Sequence, residues 1–368
     1  MANLGAIKSL TVKNLWSKYS FDISFYERVT VLIGKNGSGK STILNILNYL
    51  LSDAKNGQRI KYDFDELDLL FINKSGIKIS QNKIDFNKEI DNLLLSEEKL
   101  NQLFEKIQKK IKEDIKRNKN MSKNSLKLLQ RENNLNKDTR EAINENFVYL
   151  STFDMEIKER EVVQKNYSKP YIKTELDSLL DELINKFKLY QLKLKDKAEL
   201  IQIEFDLILE KYALKSDEKS LKDLKKHLVQ KNNRINEIYK EKDLFINKLN
   251  ELFLSSKKSI KLDENNSILF YFNDNDKDTL SPFKLSSGEK QMLIIMLTVV
   301  LMENNHTILL MDEPEISLHV EWQQKFIDTL LELNDNLQLI IATHSPAMVS
   351  KGYRNNIIKL ENFSIIEN

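Results

Sequence analysis

The sequence predicts an α/β fold built on a parallel sheet and interrupted by a long helical insertion, and three observations predict it. Three short, mostly apolar runs, at residues 29–33, 307–311 and 337–343, have the hydrophobicity of strands buried on both faces. Each is followed by residues that carry chemistry, at the carboxyl end where open α/β sheets hold their ligands. Between the first run and the other two, residues 174–254 contain no glycine or proline, and their apolar residues recur at helical spacing.

The first run, Val29 to Ile33, leads into Gly34-Lys35-Asn36-Gly37-Ser38-Gly39-Lys40-Ser41, a G-x-x-x-x-G-K-S phosphate loop, and then into an amphipathic stretch from Thr42. The loop predicts a P-loop NTPase, a protein that binds a nucleoside triphosphate. Its glycines allow successive backbone N–H groups, including that of Ser38, to form a nest for the α- and β-phosphates at the positive end of the following helix. Lys40 is expected to reach the β- and γ-phosphates, Ser41 to offer its hydroxyl to Mg²⁺, and Thr42 to support the phosphates from the first helical turn. Asn36 either contacts the nucleotide or tolerates a left-handed turn. Four of the eight glycines lie in this loop or at Gly288, so backbone freedom is concentrated where phosphate must approach.

The middle of the chain divides by composition. Residues 1–98 are expected to form the N-terminal lobe of the catalytic head, 99–146 a basic helical insertion, and 147–172 a return to the head. Residues 173–256 then form a helical hairpin, and 257–368 the C-terminal lobe. Residues 99–137 carry twelve Lys or Arg against four Asp or Glu, centred on Lys109, Lys110, Lys112, Lys116, Arg117, Lys119 and Lys123. That excess suits a DNA or RNA backbone or an acidic partner, and equally a solvated face in a lysine-rich chain. Strands are expected at 147–150 and 268–272, with Pro170 as a boundary before the helices. Leu176, Leu179, Leu180, Leu183, Phe187 and Tyr190 set the helical period, and a break near Ser216-Asp217-Glu218 makes two antiparallel helices. At 35 to 40 residues each they would be roughly 55 to 60 Å long. They would either project as a short coiled coil or fold back on the head.

Three further segments supply candidate chemistry. Leu285-Ser286-Ser287-Gly288-Glu289-Lys290-Gln291 precedes an apolar helix and lies about twenty residues before Asp312-Glu313-Pro314. Asp312 is placed to hold Mg²⁺ through water. Glu313, one residue later and so on the other face of the strand, is placed to act as general base. The third apolar run ends in His344-Ser345-Pro346, which sets an imidazole within reach of a γ-phosphate. His227, His306 and His319 show no metal-site spacing. Trp322, Phe326 and Leu330 recur every fourth residue and are expected to be core.

The Ser286 to Gln291 segment resembles the signature motif of ABC-type ATPases. The resemblance implies that Ser286, Ser287, Gly288 and Glu289 of one subunit cover the γ-phosphate held by another, with two ATP molecules sandwiched between the heads of a homodimer or a higher oligomer. Ser-Gly-Glu-Lys-Gln, Asp-Glu-Pro-Glu-Ile-Ser-Leu-His and Ala-Thr-His-Ser-Pro are similar to the RecF/SMC/OLD side of that superfamily. Within it, they look most like the AAA-type ATPases of bacterial anti-phage systems of the Septu-like and PARIS-like kinds. Val12-Lys13-Asn14-Leu15-Trp16-Ser17 resembles the start of such heads, where Lys18 approaches the nucleotide. A glutamine-bearing loop falls near Ser151 or Gln81 and stays unassigned. The likeness covers roughly residues 1–90 and 260–368.

Composition narrows the functions further. With no cysteine, the chain has no disulfide framework, cysteine zinc hook or thiol nucleophile. No signal-like N-terminus and no window of ~18 apolar residues is present, so a cytoplasmic protein without a membrane span is expected. The 57 basic and 55 acidic residues nearly balance. No nuclease site is evident, and the stretch after His344 leaves no room for an effector domain. The expectation is therefore a sensor or regulatory ATPase controlling a separate nuclease or toxin effector in anti-phage defence. A RecF/SMC-like repair clamp on DNA is the alternative. An ATP-binding subunit of a transporter is a third, weakened by the long interruption of the head and by Ser-Gly-Glu-Lys.

Overall fold

The computed structural model describes residues 5–52, 62–83, 127–133, 147–151, 174–213, 218–272, 275–349 and 352–360. All three apolar runs are neighbouring strands of one parallel sheet: β3 (Val29–Ile33), β11 (Thr307–Asp312) and β12 (Leu337–Ala342). With β7 (Phe147–Ser151) and β13 (Ile357–Lys359), they lie in the order β13-β3-β12-β11-β7. Every residue of β11 and β12 is buried. Neighbouring side chains point to opposite faces, so both faces of the sheet must be covered.

Those two faces lead to two cores. Ile308, Leu310, Ile340 and Leu32 pack with α1 (Lys40–Leu51) and a five-stranded antiparallel sheet. That sheet runs β2 (Tyr19–Ser24), β1 (Ile7–Leu15), β4 (Glu66–Phe71), β5 (Gly76–Lys83), β6 (Lys127–Asn133). Leu309, Met311, Leu339 and Ile341 pack instead with α4 (Ser287–Val300), α5 (Val320–Leu333) and the base of the helical hairpin. Gln338, fully buried in β12, donates to Ile7 O at 2.9 Å and accepts from Ile7 N at 2.7 Å, which fastens the two sheets together.

The hairpin consists of α2 (Glu175–Ala213) and α3 (Glu218–Phe253); of the break expected near Ser216-Asp217-Glu218, Ser216 and Asp217 lie outside the described residues. At 1.5 Å per residue the 39 residues of α2 span about 58 Å. The helices are antiparallel: Phe187 meets Phe245 near the base, Arg234 pairs with Glu204 at 2.7 Å further out, and Tyr212 faces His227 near the tip. From Leu176 to Ile201 one side of α2 is buried and the base joins the head core, whereas Ile203, Leu207, Leu209, Leu221, Leu228 and Val229 are exposed along the outer half. A three-stranded antiparallel sheet, β8 (Lys258–Leu262), β9 (Ile268–Phe272) and β10 (Asn275–Leu280), follows α3. The strands expected at 147–150 and 268–272 are β7 and β9.

The basic insertion departs from expectation. Residues 127–133 are not helical but form β6, paired antiparallel with β5 from Ile77↔Asn133 to Lys83↔Lys127. Here strand pairing across the sheet overrides the local lysine-rich pattern. The rest of that insertion, with Lys109 to Lys123 at its centre, lies outside the described residues, as does Pro170. Trp322, Phe326 and Leu330 are core as expected, and the Trp322 indole also donates to Leu252 O at 2.9 Å.

Candidate active site

β3 delivers the phosphate loop to the carboxyl end of the sheet. Its left-handed positions are Gly37 (φ 80°) and Gly39 (φ 94°), and Asn36 is exposed without adopting that region. Gly39 is the N-cap of α1 and has no capping side chain, which leaves the N-terminal N–H groups of that helix for an anion. Ser38 Oγ is buried without a hydrogen-bond partner, at the mouth of the loop beside Gly34. A buried hydroxyl in such a place is a ready donor to phosphate. Thr42 is half-buried in the first turn of α1.

Lys40 is 4 % exposed and lies across this loop. Its Nζ donates to Gly34 O at 3.1 Å and Lys35 O at 3.4 Å, and stands 2.6 Å from His344 Nε2. That last contact fits an ammonium donating to a neutral imidazole that carries its proton on Nδ1. Burial lowers the Lys40 pKa, opposed by the negative fields of Glu313, Asp312 and Glu315.

The two carboxylates after β11 occupy different places. Asp312 ends the strand and is 2 % exposed. Desolvation pushes its pKa up, while a hydrogen bond with Ser41 pulls it down. Among the described residues no cluster of three or more His, Asp or Glu could by itself cage a metal. A Mg²⁺ here would rest on the Ser41 hydroxyl and Asp312, completed by phosphate and water, and a buried carboxylate bonded to that hydroxyl fits such an ion. Glu313 is not on the opposite face of the strand, because β11 has already ended. It sits at φ 49°, its N donates to Ala342 O at 2.8 Å, and Oε1 lies 3.3 Å from His344 Nε2. Holding a non-glycine residue in the left-handed region costs roughly 1 kcal/mol or more, and this turn aims the carboxylate at the phosphate loop.

His344 follows β12, next to β3 in the sheet, so adjacent strands bring Lys40, Glu313 and His344 together. A cavity of ≈ 430 Å³ opens beside them, lined by Gly34, Lys35, His344, Ser345 and Lys359 among others. Ser151, one of two candidates for an unassigned contact, stands opposite Asp312 in the β7–β11 register. The other, Gln81, lies in β5 of the antiparallel sheet. Lys18 lies over the ring of Tyr19 at 5.0 Å.

The signature segment is built separately. Ser286 is the N-cap of α4, and its side chain accepts from Glu289 N while the Glu289 carboxylate accepts from Ser286 N, a complete capping box. Glu289 is turned inward: its carboxylate also meets Lys258 Nζ at 2.7 Å, and the ionic and hydrogen-bond contacts hold its pKa low against desolvation, the largest single effect. Lys290 pairs with Asp177, at the start of α2, at 2.8 Å. Gly288 packs against the Ser317 carbonyl so closely that a Cβ there would collide with it. Ser286 and Ser287 are exposed, and none of Ser286, Ser287, Gly288 and Glu289 lines the cavity beside Lys40.

Sequence reasoning missed Glu315. Its Oε1 accepts from Thr343 Oγ1 at 2.6 Å, His344 N at 2.8 Å and Ser345 N at 3.1 Å. The only signal for it was the second glutamate of Asp-Glu-Pro-Glu, and nothing local says where that side chain points.

The chain is similar to proteins named as probable ATPases. The Retron Vc95 probable ATPase of Vibrio cholerae is 24 % identical over 379 residues, covering 91 % of this chain and 69 % of that protein. The Retron Ec83 probable ATPase of Escherichia coli is 33 % identical over 100 residues, 24 % of this chain and 18 % of that one. The phosphate import ATP-binding protein PstB 2 of Mycobacterium tuberculosis matches at 36 % over 77 residues, 20 % of this chain and 27 % of its own length. Among solved structures, the Smc head domain of Pyrococcus furiosus bound to the C-terminal domain of ScpA is 16 % identical with a TM-score of 0.45. That likeness covers 97 % of this chain and 93 % of the other. The model of the AAA ATPase domain family matches residues 6–349, from β1 through the loop after His344, and the chain belongs to that family.

Proposed function

We propose that the chain hydrolyses ATP between two copies of its head, and that the ATP-bound dimer acts as the sensor or regulatory subunit of an anti-phage defence complex, controlling a separate nuclease or toxin. The observation that carries the catalytic part is the convergence of Lys40, Glu313 and His344 at the ends of neighbouring parallel strands, beside the Ser41–Asp312 pair. The dimer is supported by Ser287, exposed in the first turn of α4 beside the Ser286–Glu289 capping box. In a two-fold pair each copy could complete the other's site. The defence role is supported by the motif resemblance and by relatives whose names place them in retrons.

In this reading an arriving triphosphate draws Lys40 off the Gly34 and Lys35 carbonyls, and Ser38 Oγ gains its partner. Ser41 and Asp312 would hold Mg²⁺, which would supply charge neutralisation at the phosphates. Glu313 takes a proton from the water whose oxygen attacks the γ-phosphorus, and the bond from that phosphorus to the ADP oxygen breaks. His344, released from Lys40, takes the tautomer with its proton on Nε2 and donates that N–H to a γ-phosphate oxygen.

The test is to express Glu313→Gln with its native gene neighbours, capture it in ATP and identify what accompanies it by mass spectrometry, with the mass of the captured complex measured by light scattering. A dimer bound to a nuclease or toxin-like protein is expected. Nucleic acid alone would replace the effector reading with a repair clamp, and a membrane protein would overturn both. A monomer in saturating ATP would overturn the sandwiched dimer.

A further inference from the structure

We propose that Glu315 is the positioning residue for His344: its carboxylate clamps the loop after β12 onto the turn after β11, and so sets where the imidazole meets the γ-phosphate. The proposal rests on the ATPase reading above and adds a residue to its site.

The geometry is that of a clamp rather than a surface contact. One oxygen, Oε1, takes three donors from three consecutive residues, the Thr343 hydroxyl and the backbone N–H groups of His344 and Ser345. Thr343 Oγ1 in turn accepts from Ser345 N at 2.9 Å, which closes the loop on itself. Ser345 Oγ donates to Gln323 Oε1 at 2.6 Å, and Gln323 Nε2 donates to Leu318 O at 2.9 Å and Glu315 O at 3.4 Å. Both catalytic loops are therefore tied to the same carboxylate and to the same glutamine of α5. A carboxylate accepting several N–H and O–H donors makes charge-assisted bonds, about twice as strong as neutral ones.

The remaining oxygen strengthens the case. Glu315 Oε2 is buried without a hydrogen-bond partner, and its negative field reaches both Lys40 and Asp312. A buried carboxylate oxygen left unsatisfied is costly, and that cost sits beside the three bonds that Oε1 makes to the loop. The hydrogen bonds of the Glu315 carboxylate go to the loop that carries His344, and so it acts on the reaction through His344.

The chain has four histidines, so the imidazole resonances of uniformly labelled protein can be assigned with His344→Ala. In the nucleotide-free protein Glu315→Gln is expected to displace the His344 resonance while those of His227 and His306 stay in place. An unmoved His344 resonance overturns the clamp, whether or not the protein hydrolyses ATP. In steady-state assays Glu315→Gln should lower kcat by about 10-fold with KM changed less than about 2-fold, since misplacing a catalytic group costs up to ~10²-fold. In the His344→Ala background the same substitution should cost less than about 2-fold. Full, multiplicative losses in the double variant, or an unchanged kcat in an active protein, would also overturn it. A wild type without ATPase activity would sink the catalytic reading, and the resonances would still decide the clamp. Should Glu315→Gln fail to fold, Glu315→Asp, which withdraws the same charge by one methylene, is read in the same way.

Discussion

Replacing Lys290 by methionine tests how the signature turn is held. The Lys290 side chain is 14 % exposed and that of Asp177 3 %, and they meet at 2.8 Å. Removing one partner of a buried pair costs about 3–5 kcal/mol, because a charge is left uncompensated in a poorly solvated place. Asp177 keeps the Thr174 N–H at 3.2 Å, which favours the lower end, about 3 kcal/mol. At about 2.1 cal/mol/K per residue, 368 residues give an unfolding entropy near 0.8 kcal/mol/K, so Tm should fall by about 4 °C. Urea titration and a thermal melt measure both. The double variant Asp177→Leu with Lys290→Met replaces both partners by apolar groups and should recover to within about 1 kcal/mol of wild type. A Lys290→Met protein within about 0.5 kcal/mol of wild type would refute the reasoning. So would a double variant less stable than the single one.

Three further outcomes are expected. Glu313→Gln keeps the shape beside His344 but cannot accept the proton, so kcat should drop by about 10²-fold or more while ATP binding, read by a fluorescent analogue, persists; hydrolysis at the wild-type rate would assign the base elsewhere. Asp312→Asn should raise Tm at pH 7 without nucleotide. Burial places the folded pKa of Asp312 above its unfolded value, so below the unfolded pKa no penalty exists and as pH rises through the folded pKa the full penalty appears. The advantage of the Asn variant should therefore vanish on acidification, and an advantage that grows there would contradict the sign. Gly288→Ala sets a Cβ against the Ser317 carbonyl and should cost about 1–3 kcal/mol, measured by urea titration, with a wild-type midpoint counting against the packing.

The catalytic elements were readable from sequence because each is a local pattern. A short apolar run followed by polar chemistry reads as a strand buried on both faces, G-x-x-x-x-G-K-S between such a run and an amphipathic stretch reads as a phosphate loop, and residues 174–254 lack any glycine or proline to break a helix. These runs became β3, β11 and β12, and the long stretch became the antiparallel helices α2 and α3. Tertiary structure decided what depends on partners distant in sequence. Lys290 finds Asp177 113 residues away, and Lys40 meets His344 304 residues away. Glu315 gathers three donors across 28 to 30 residues. Lys127 to Asn133 became an edge strand because β5 offered unpaired backbone groups, which no composition reveals. Glu313 left the strand period because β11 stops one residue before it, and strand length is fixed by the neighbours it pairs with. Local sequence thus determined which chemical groups the molecule has, and long-range pairing determined where each one points.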